Sequence, residues 1–303
     1  MDAISSIDQW LQTNTVFYAF KTSLQSLAIL LNVVVICTSL FKKKFRKDSF
    51  KHLLAQLALG DLLVSLSSFA RQYSWYNMRI VTILACSLID VITVIGIFLS
   101  QTAILYIALE RFIAVFRPGY FSKMTSKKVI VLRWIGTVAL AVMLSSLLFA
   151  RKNIYEPVNI CLMTTFWTDW FLTSFFVSFG SVSFAILVFM TATVIIAQKR
   201  LSSQTKTSKR VYYTCMYISI IYIICWMLPK GAVLVFSKIQ TPSVVNILVR
   251  HSGILSYFMT IANFVIYAWR HQEMRIAIVE FVVFWRRKRI AVVTMSSSHT
   301  NQR

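Results

Sequence analysis

The sequence has little of what a water-soluble or β-rich domain needs. Its 303 residues include seven glycines and four prolines, too few for the turns of a loop-rich β fold. Charged residues make up 14%, against about 25% in soluble domains, which excludes an ordinary cytosolic enzyme. Acidic side chains are scarcest, ten beside 32 Lys and Arg. A net charge of +22 would suit nucleic acid in a polar chain. Here the positive charges sit in short islands between long apolar runs, so no nucleic-acid partner is expected. The four histidines (His52, His251, His271, His299) lack metal-ligand spacing, and no catalytic constellation is visible. There is no Asn-x-Ser/Thr acceptor for an N-glycan. The chain opens on the polar Met1–Asn14 rather than a cleavable signal.

What is present is apolar length. Hydrophobic residues reach 57%, and the mean hydropathy is +0.68. A helix rises about 1.5 Å per residue, so about 20 apolar residues cross a bilayer core. Seven stretches qualify, near 20–41, 52–70, 81–112, 129–150, 170–197, 211–236 and 244–268. The expected fold is therefore an all-α membrane protein, a seven-transmembrane helix bundle. Residues 1–19 form a short outer segment, 20–268 the bundle, and 269–303 a tail. Just after the last span, Met274, Ala277, Ile278 and Phe281 recur at helical spacing, which predicts a short amphipathic eighth helix on the membrane surface.

Charge sets the orientation. Islands at 42–51, 111–133 and 199–210, with the tail, hold 24 of the 32 Lys and Arg. Excess Lys and Arg mark the cytoplasmic side, which places the N-terminus outside and the tail inside at the plasma membrane. The same islands attract anionic inner-leaflet lipid.

Polar residues inside spans are rare and costly, about 2.5–3.5 kcal/mol each for a charge at mid-helix. Asp61 lies mid-span two, Asn32 mid-span one, Ser100 mid-span three and Asn263 in span seven, all at similar depth. Oxygen ligands around one carboxylate suit a hard cation such as Na⁺, or a few waters. A hydrogen-bonded packing cluster without an ion fits as well. At the inner end of span three, Glu110 adjoins Arg111, and the two can form a releasable ion pair. Cys86 and Cys161 both fall on the oxidising side, where a disulfide would pin the second outer loop to the bundle. The serine- and threonine-rich tail (Thr294, Ser296, Ser297, Ser298, Thr300) offers phosphorylation sites that recruit arrestin, or is simply a polar tail.

Together these residues resemble the rhodopsin-like (class A) G-protein-coupled receptors over nearly the whole chain. Asn32-Val33-Val34-Val35 is similar to the first-helix Asn motif, and Leu57–Asp61 matches Leu-Ala-x-x-Asp. Glu110-Arg111-Phe112 resembles Asp/Glu-Arg-Tyr, Trp134 falls at the fourth-helix Trp, and Cys86 precedes Arg111 at the disulfide spacing. Asn263–Tyr267 resembles Asn-Pro-x-x-Tyr, and Glu273-Met274-Arg275 the start of the eighth helix. The resemblance implies a receptor that binds an extracellular small molecule or short peptide and activates a heterotrimeric G protein. It assigns the switch to Glu110, Arg111 and Tyr267 and a sodium pocket to Asp61, Ser100 and Asn263, and it places ligand contacts in the outer halves of the spans, at Asp90, Thr93, Trp226, Lys230, Arg250 and Tyr257.

The departures are specific. Phe264 replaces the seventh-helix Pro, and Phe112 replaces a Tyr. Cys225-Trp226-Met227-Leu228-Pro229 carries one residue more than Cys-Trp-x-Pro, which in a regular helix turns Trp226 by about 100° relative to the kink. Tyr257 stands where opsins carry their retinal Lys, and Thr93 where amine receptors carry an Asp. Asp90, one turn further out, can attract a cation, whereas Lys230 and Arg250 suit a carboxylate or phosphate. Two other readings share the composition: an ion-coupled transporter or channel using Asp61, and a receptor-like scaffold that does not signal.

Overall fold

A computed structural model describes residues 15–41, 49–76, 81–117, 119–121, 126–149, 155–158, 167–199, 216–217, 220–238, 254–266, 274–281 and 283. Five helices are long and apolar enough to cross a membrane. They are α1 (Thr15–Phe41), α2 (Ser49–Tyr76), α3 (Ile83–Phe116), α4 (Lys127–Ser146) and α5 (Asp169–Lys199). Two shorter apolar helices follow: α6 (residues 220–238) and α7 (Ile254–Ile266). Residues 274–281 form α8.

Each expected span overlaps a helix, the sixth and seventh over their described residues 220–236 and 254–266, and most of the first five helices outrun their spans. The backbone of a helix satisfies itself, so nothing requires it to stop where the apolar residues stop. Thus α1 begins at Thr15, inside the expected outer segment, and α2 continues to Tyr76. The 34 residues of α3 are about 50 Å long, well beyond a hydrocarbon core of about 30 Å.

Helix α3 is the axis of the molecule and packs against α2, α4 and α5. Its interior positions, such as Val94, Ile97, Ala103, Ile104 and Ile107, are buried. By contrast α4 and α5 turn large apolar residues outward, among them Leu132, Ile135, Val177 and Phe184, as a lipid-facing surface requires. The tightest crossing is between α2 and α3. A Cβ on Gly60 would lie 2.6 Å from the Gly96 carbonyl oxygen, and one on Gly96 2.7 Å from the Gly60 carbonyl oxygen. Only the missing side chains let the two backbones meet there.

A two-residue ladder accompanies the helices. Val81–Thr82 (β1) pairs antiparallel with Pro157–Val158 (β2), and the Ile83 N–H donates to the Glu156 carbonyl at 3.0 Å. The ladder clips the α4–α5 connection to the start of α3, where Thr82 Oγ1 caps the helix by accepting from the Ala85 N–H. Cys86, buried one turn further on, is disulfide-bonded; its expected partner Cys161 lies outside the described residues.

The extra residue before Pro229 is absorbed as a π-turn, Ile223–Met227, rather than as a rotation of the helix. The Leu228 N–H reaches back five residues to the Ile223 carbonyl, the wider ring that accommodates one added residue. Trp226 therefore faces inward, buried and stacked on Phe179 with centroids 5.9 Å apart. With Phe264 in place of a proline, α7 runs unbroken to Ile266. In α8, Met274 and Ala277 are buried while Ile276 and Val279 face outward, the two-faced helix expected from the spacing.

Candidate functional site

Polar groups collect at three depths of the bundle. The first lies at the end where α3 begins. Arg71 of α2 forms an ion pair with Asp90 of α3 and donates to Thr93 Oγ1 at 2.9 Å. Trp167 Nε1 donates to the other Asp90 oxygen at 2.9 Å, and Thr93 donates to Ser67 at 2.9 Å. Gln25 of α1 donates to the Tyr257 hydroxyl of α7 at 2.6 Å, and Ser68 also hydrogen-bonds that hydroxyl. Lys230 of α6 lies within electrostatic reach of Arg71.

Asp90, expected to attract a cation, is engaged within the bundle in this arrangement. A fully buried carboxylate is stable only when paired and hydrogen-bonded, and Asp90 is 0% exposed with both oxygens engaged. Of the other residues expected to touch ligand, Thr93, Trp226, Lys230 and Tyr257 belong to this end or border it, while Arg250 lies outside the described residues.

The second depth is mid-bundle. Ser100 Oγ donates to Asp61 Oδ1 at 2.6 Å, and Thr260 Oγ1 donates to Asp61 Oδ2 at 3.2 Å. One carboxylate thus joins α2, α3 and α7. Asn263, one turn from Thr260 on the same face of α7, is buried with both amide atoms unpartnered, and so is the Asn32 amide nitrogen. The orphaned Asn263 Oδ1, with the Asp61 carboxylate and two hydroxyls, fits a hard cation, while the two orphaned amide nitrogens are donors and fit ordered water. A separate chain runs across the other side of the bundle. Gln101 donates to the Phe179 carbonyl at 2.7 Å and to Ser183 at 2.9 Å, and Ser183 shares a hydrogen bond with the Tyr222 hydroxyl.

At the third depth Glu110 does not pair with its neighbour Arg111. It pairs with Arg133 of α4, 2.9 Å away, and accepts from Ser49 of α2 at 2.5 Å. Adjacent residues on a helix point about 100° apart, so a neighbouring helix reaches Glu110 where Arg111 does not. Arg111 instead lies over the Phe50 ring, 4.5 Å from its centroid. Arg133, counted above among the charges of a connection, is buried within α4. A cavity of about 190 Å³ opens beside the pair, lined by Tyr106, Leu109, Glu110, Val129, Leu132 and Arg133. Tyr267 lies outside the described residues.

Sequence reasoning missed Thr260, Trp167, the Gln101 chain and the roles of Arg71 and Arg133. Thr260 had a signal, since it stands three residues from Asn263 on one helical face. Arg133 had one too, as a charge inside an apolar run.

A bundle with five helices long and apolar enough to cross a membrane, and two shorter apolar ones, defines a multi-pass membrane protein. Residues 26–282 match the family described as serpentine type 7TM GPCR chemoreceptor Srsx, and the chain belongs to that family of seven-transmembrane, non-enzymatic receptors. No curated protein matches the chain.

Proposed function

We propose that this protein is a rhodopsin-like receptor of the plasma membrane, with its N-terminus outside, that binds an extracellular small molecule or short peptide and activates a heterotrimeric G protein. The observation that carries the reading is Arg111. It has no carboxylate partner among the described residues, being held only over an aromatic ring at the Glu110 end of α3. A guanidinium in that state is available to a partner's helix without first breaking an ion pair. Ligand enters at the opposite end, around Tyr257 and Lys230, and Trp226 borders that space. A ligand shifts the bundle only through unequal affinity for its two arrangements. Arrestin at the phosphorylated tail and anionic lipid at the basic islands complete the expected partners.

The test is G-protein dissociation in cells expressing the chain. Basal or ligand-driven signal is expected, and Arg111→Ala should reduce it at least tenfold with surface expression unchanged. Equal signal from both forms would sink this assignment of the switch.

We further assign a sodium ion to the mid-bundle cluster, held by Asp61, Ser100, Thr260 and Asn263. The ion would supply fixed positive charge that holds α2, α3 and α7 together. Purified receptor should melt several degrees higher in sodium chloride than in choline chloride, and Asp61→Asn should erase that difference. A sodium effect that persists in the variant would reject the site.

A further inference from the structure

Among the described residues, the charges of one cluster do not balance. Its charged members are Arg71, Asp90 and Lys230. The single negative charge of Asp90 is matched by Arg71, which engages one oxygen, while the neutral Trp167 N–H engages the other. Lys230 has no acid partner among the described residues; the charge that acts on it is the like charge of Arg71. Arg71 keeps its Nε–H buried and unpartnered, while 19% of its side chain stays accessible. Among the described residues the cluster therefore holds one positive charge in excess, and an uncompensated cation in largely buried surroundings is costly.

Trp226 lies one turn before Lys230 on α6, so one face of the helix presents an ammonium beside an indole. The indole continues into an aromatic wall along α5. Phe179 stacks on Trp226, Phe175 follows at 6.3 Å from Phe179, and Trp167 closes the row at 5.2 Å from Phe175, where its ring nitrogen meets Asp90.

We propose that the ligand is a small monocarboxylate with an apolar body, its carboxylate set between Lys230 and Arg71 and its body against the Trp226–Phe179 wall. This deepens the receptor reading above and rests on it for the location of the site. One negative charge cancels the excess, whereas a phosphate dianion would leave the space negative. A carboxylate has two oxygens to divide between an ammonium and a guanidinium. Amines are disfavoured by the same arithmetic, since the one carboxylate present is already taken.

The experiment uses the full chain in lipid nanodiscs and reads thermal unfolding, which needs no G protein. Hexanoate and phenylacetate, added as choline salts at one fixed sodium concentration, are the probes, with their methyl esters and choline chloride as comparisons. The acids should raise the melting temperature in a saturable way, while the esters and added chloride should not. Lys230→Gln should weaken the acids' apparent affinity about 10- to 100-fold, the range for losing a charged hydrogen bond, and Lys230→Arg should keep most of it. Each variant's melting temperature without ligand shows that it is folded. Equal shifts from acids and esters, an equal shift from chloride, no shift from any acid, or full affinity in Lys230→Gln would each overturn the proposal. Binding of the acids without G-protein dissociation would instead refute the signalling reading and leave this one standing.

Discussion

Glu110→Gln should lower the stability of the purified receptor by about 3–5 kcal/mol, the usual cost of removing one member of a buried ion pair. The variant leaves Arg133 as a charge inside α4, 6% exposed, with Ser49 its remaining polar neighbour from the pair. Ordinary polar contacts between membrane helices are worth only about 0.6 kcal/mol on average, because the separated helices find other partners. Arg133 would keep only the Ser49 hydroxyl and the Tyr106 ring, 5.2 Å away, and neither carries the charge that Glu110 supplies, so the larger figure applies. Arg133→Gln should be nearly as harmful, since it strands Glu110. The double variant should lose much less than the sum of the two, which a double-mutant cycle on unfolding would read as strong coupling. If Glu110 restrained Arg111 instead, Glu110→Gln would raise basal signalling at little cost in stability. That outcome would remove the Glu110–Arg133 clasp from the account.

The contrast marks where the sequence is legible. Seven apolar stretches and the depths of Asn32, Asp61, Ser100 and Asn263 can be read along the chain, because rise per residue converts position into depth. Depth alone brings Asp61 and Ser100 together, and the structure does join them. Which helix faces which is a different kind of information. Glu110 and Arg133 are 23 residues apart on separate helices, and no periodicity within either helix names the other. The same holds for Arg71 and Asp90, so an acid that looks free in the sequence is neutralised in the fold. The insertion before Pro229 was ambiguous for another reason. One added residue can rotate everything beyond it or be absorbed locally, and only packing decides. Burying Trp226 against Phe179 favours the π-turn, because a rotated indole would give up that aromatic contact.

Gly60→Ala should be the most damaging alanine substitution among the described glycines. The new Cβ would lie 2.6 Å from the Gly96 carbonyl oxygen and 2.6 Å from the Ser100 nitrogen. Both are backbone atoms, which cannot rotate aside, so α2 and α3 must part. Overpacking of this kind costs about 1–3 kcal/mol, occasionally more. Here parting also stretches the 2.6 Å Ser100–Asp61 hydrogen bond and leaves a buried carboxylate short of a donor, which adds about 1–3 kcal/mol. Gly96→Ala meets the Gly60 carbonyl oxygen at 2.7 Å and should behave alike. The chain contains its own controls. A Cβ at Gly136 in α4 or Gly180 in α5 meets nothing within 4 Å, and Gly→Ala in a helix interior otherwise stabilises by about 0.5–1 kcal/mol. Melting temperatures of the four variants in detergent should therefore split in sign, with Gly60→Ala and Gly96→Ala below the parent and Gly136→Ala and Gly180→Ala at or above it. Gly60→Ala should also blunt the sodium-dependent rise in melting temperature, because it disturbs the Asp61 cluster directly. If all four variants moved together, the close crossing of α2 and α3 would be refuted, and with it the reason that Asp61 and Ser100 stand within a hydrogen bond of each other.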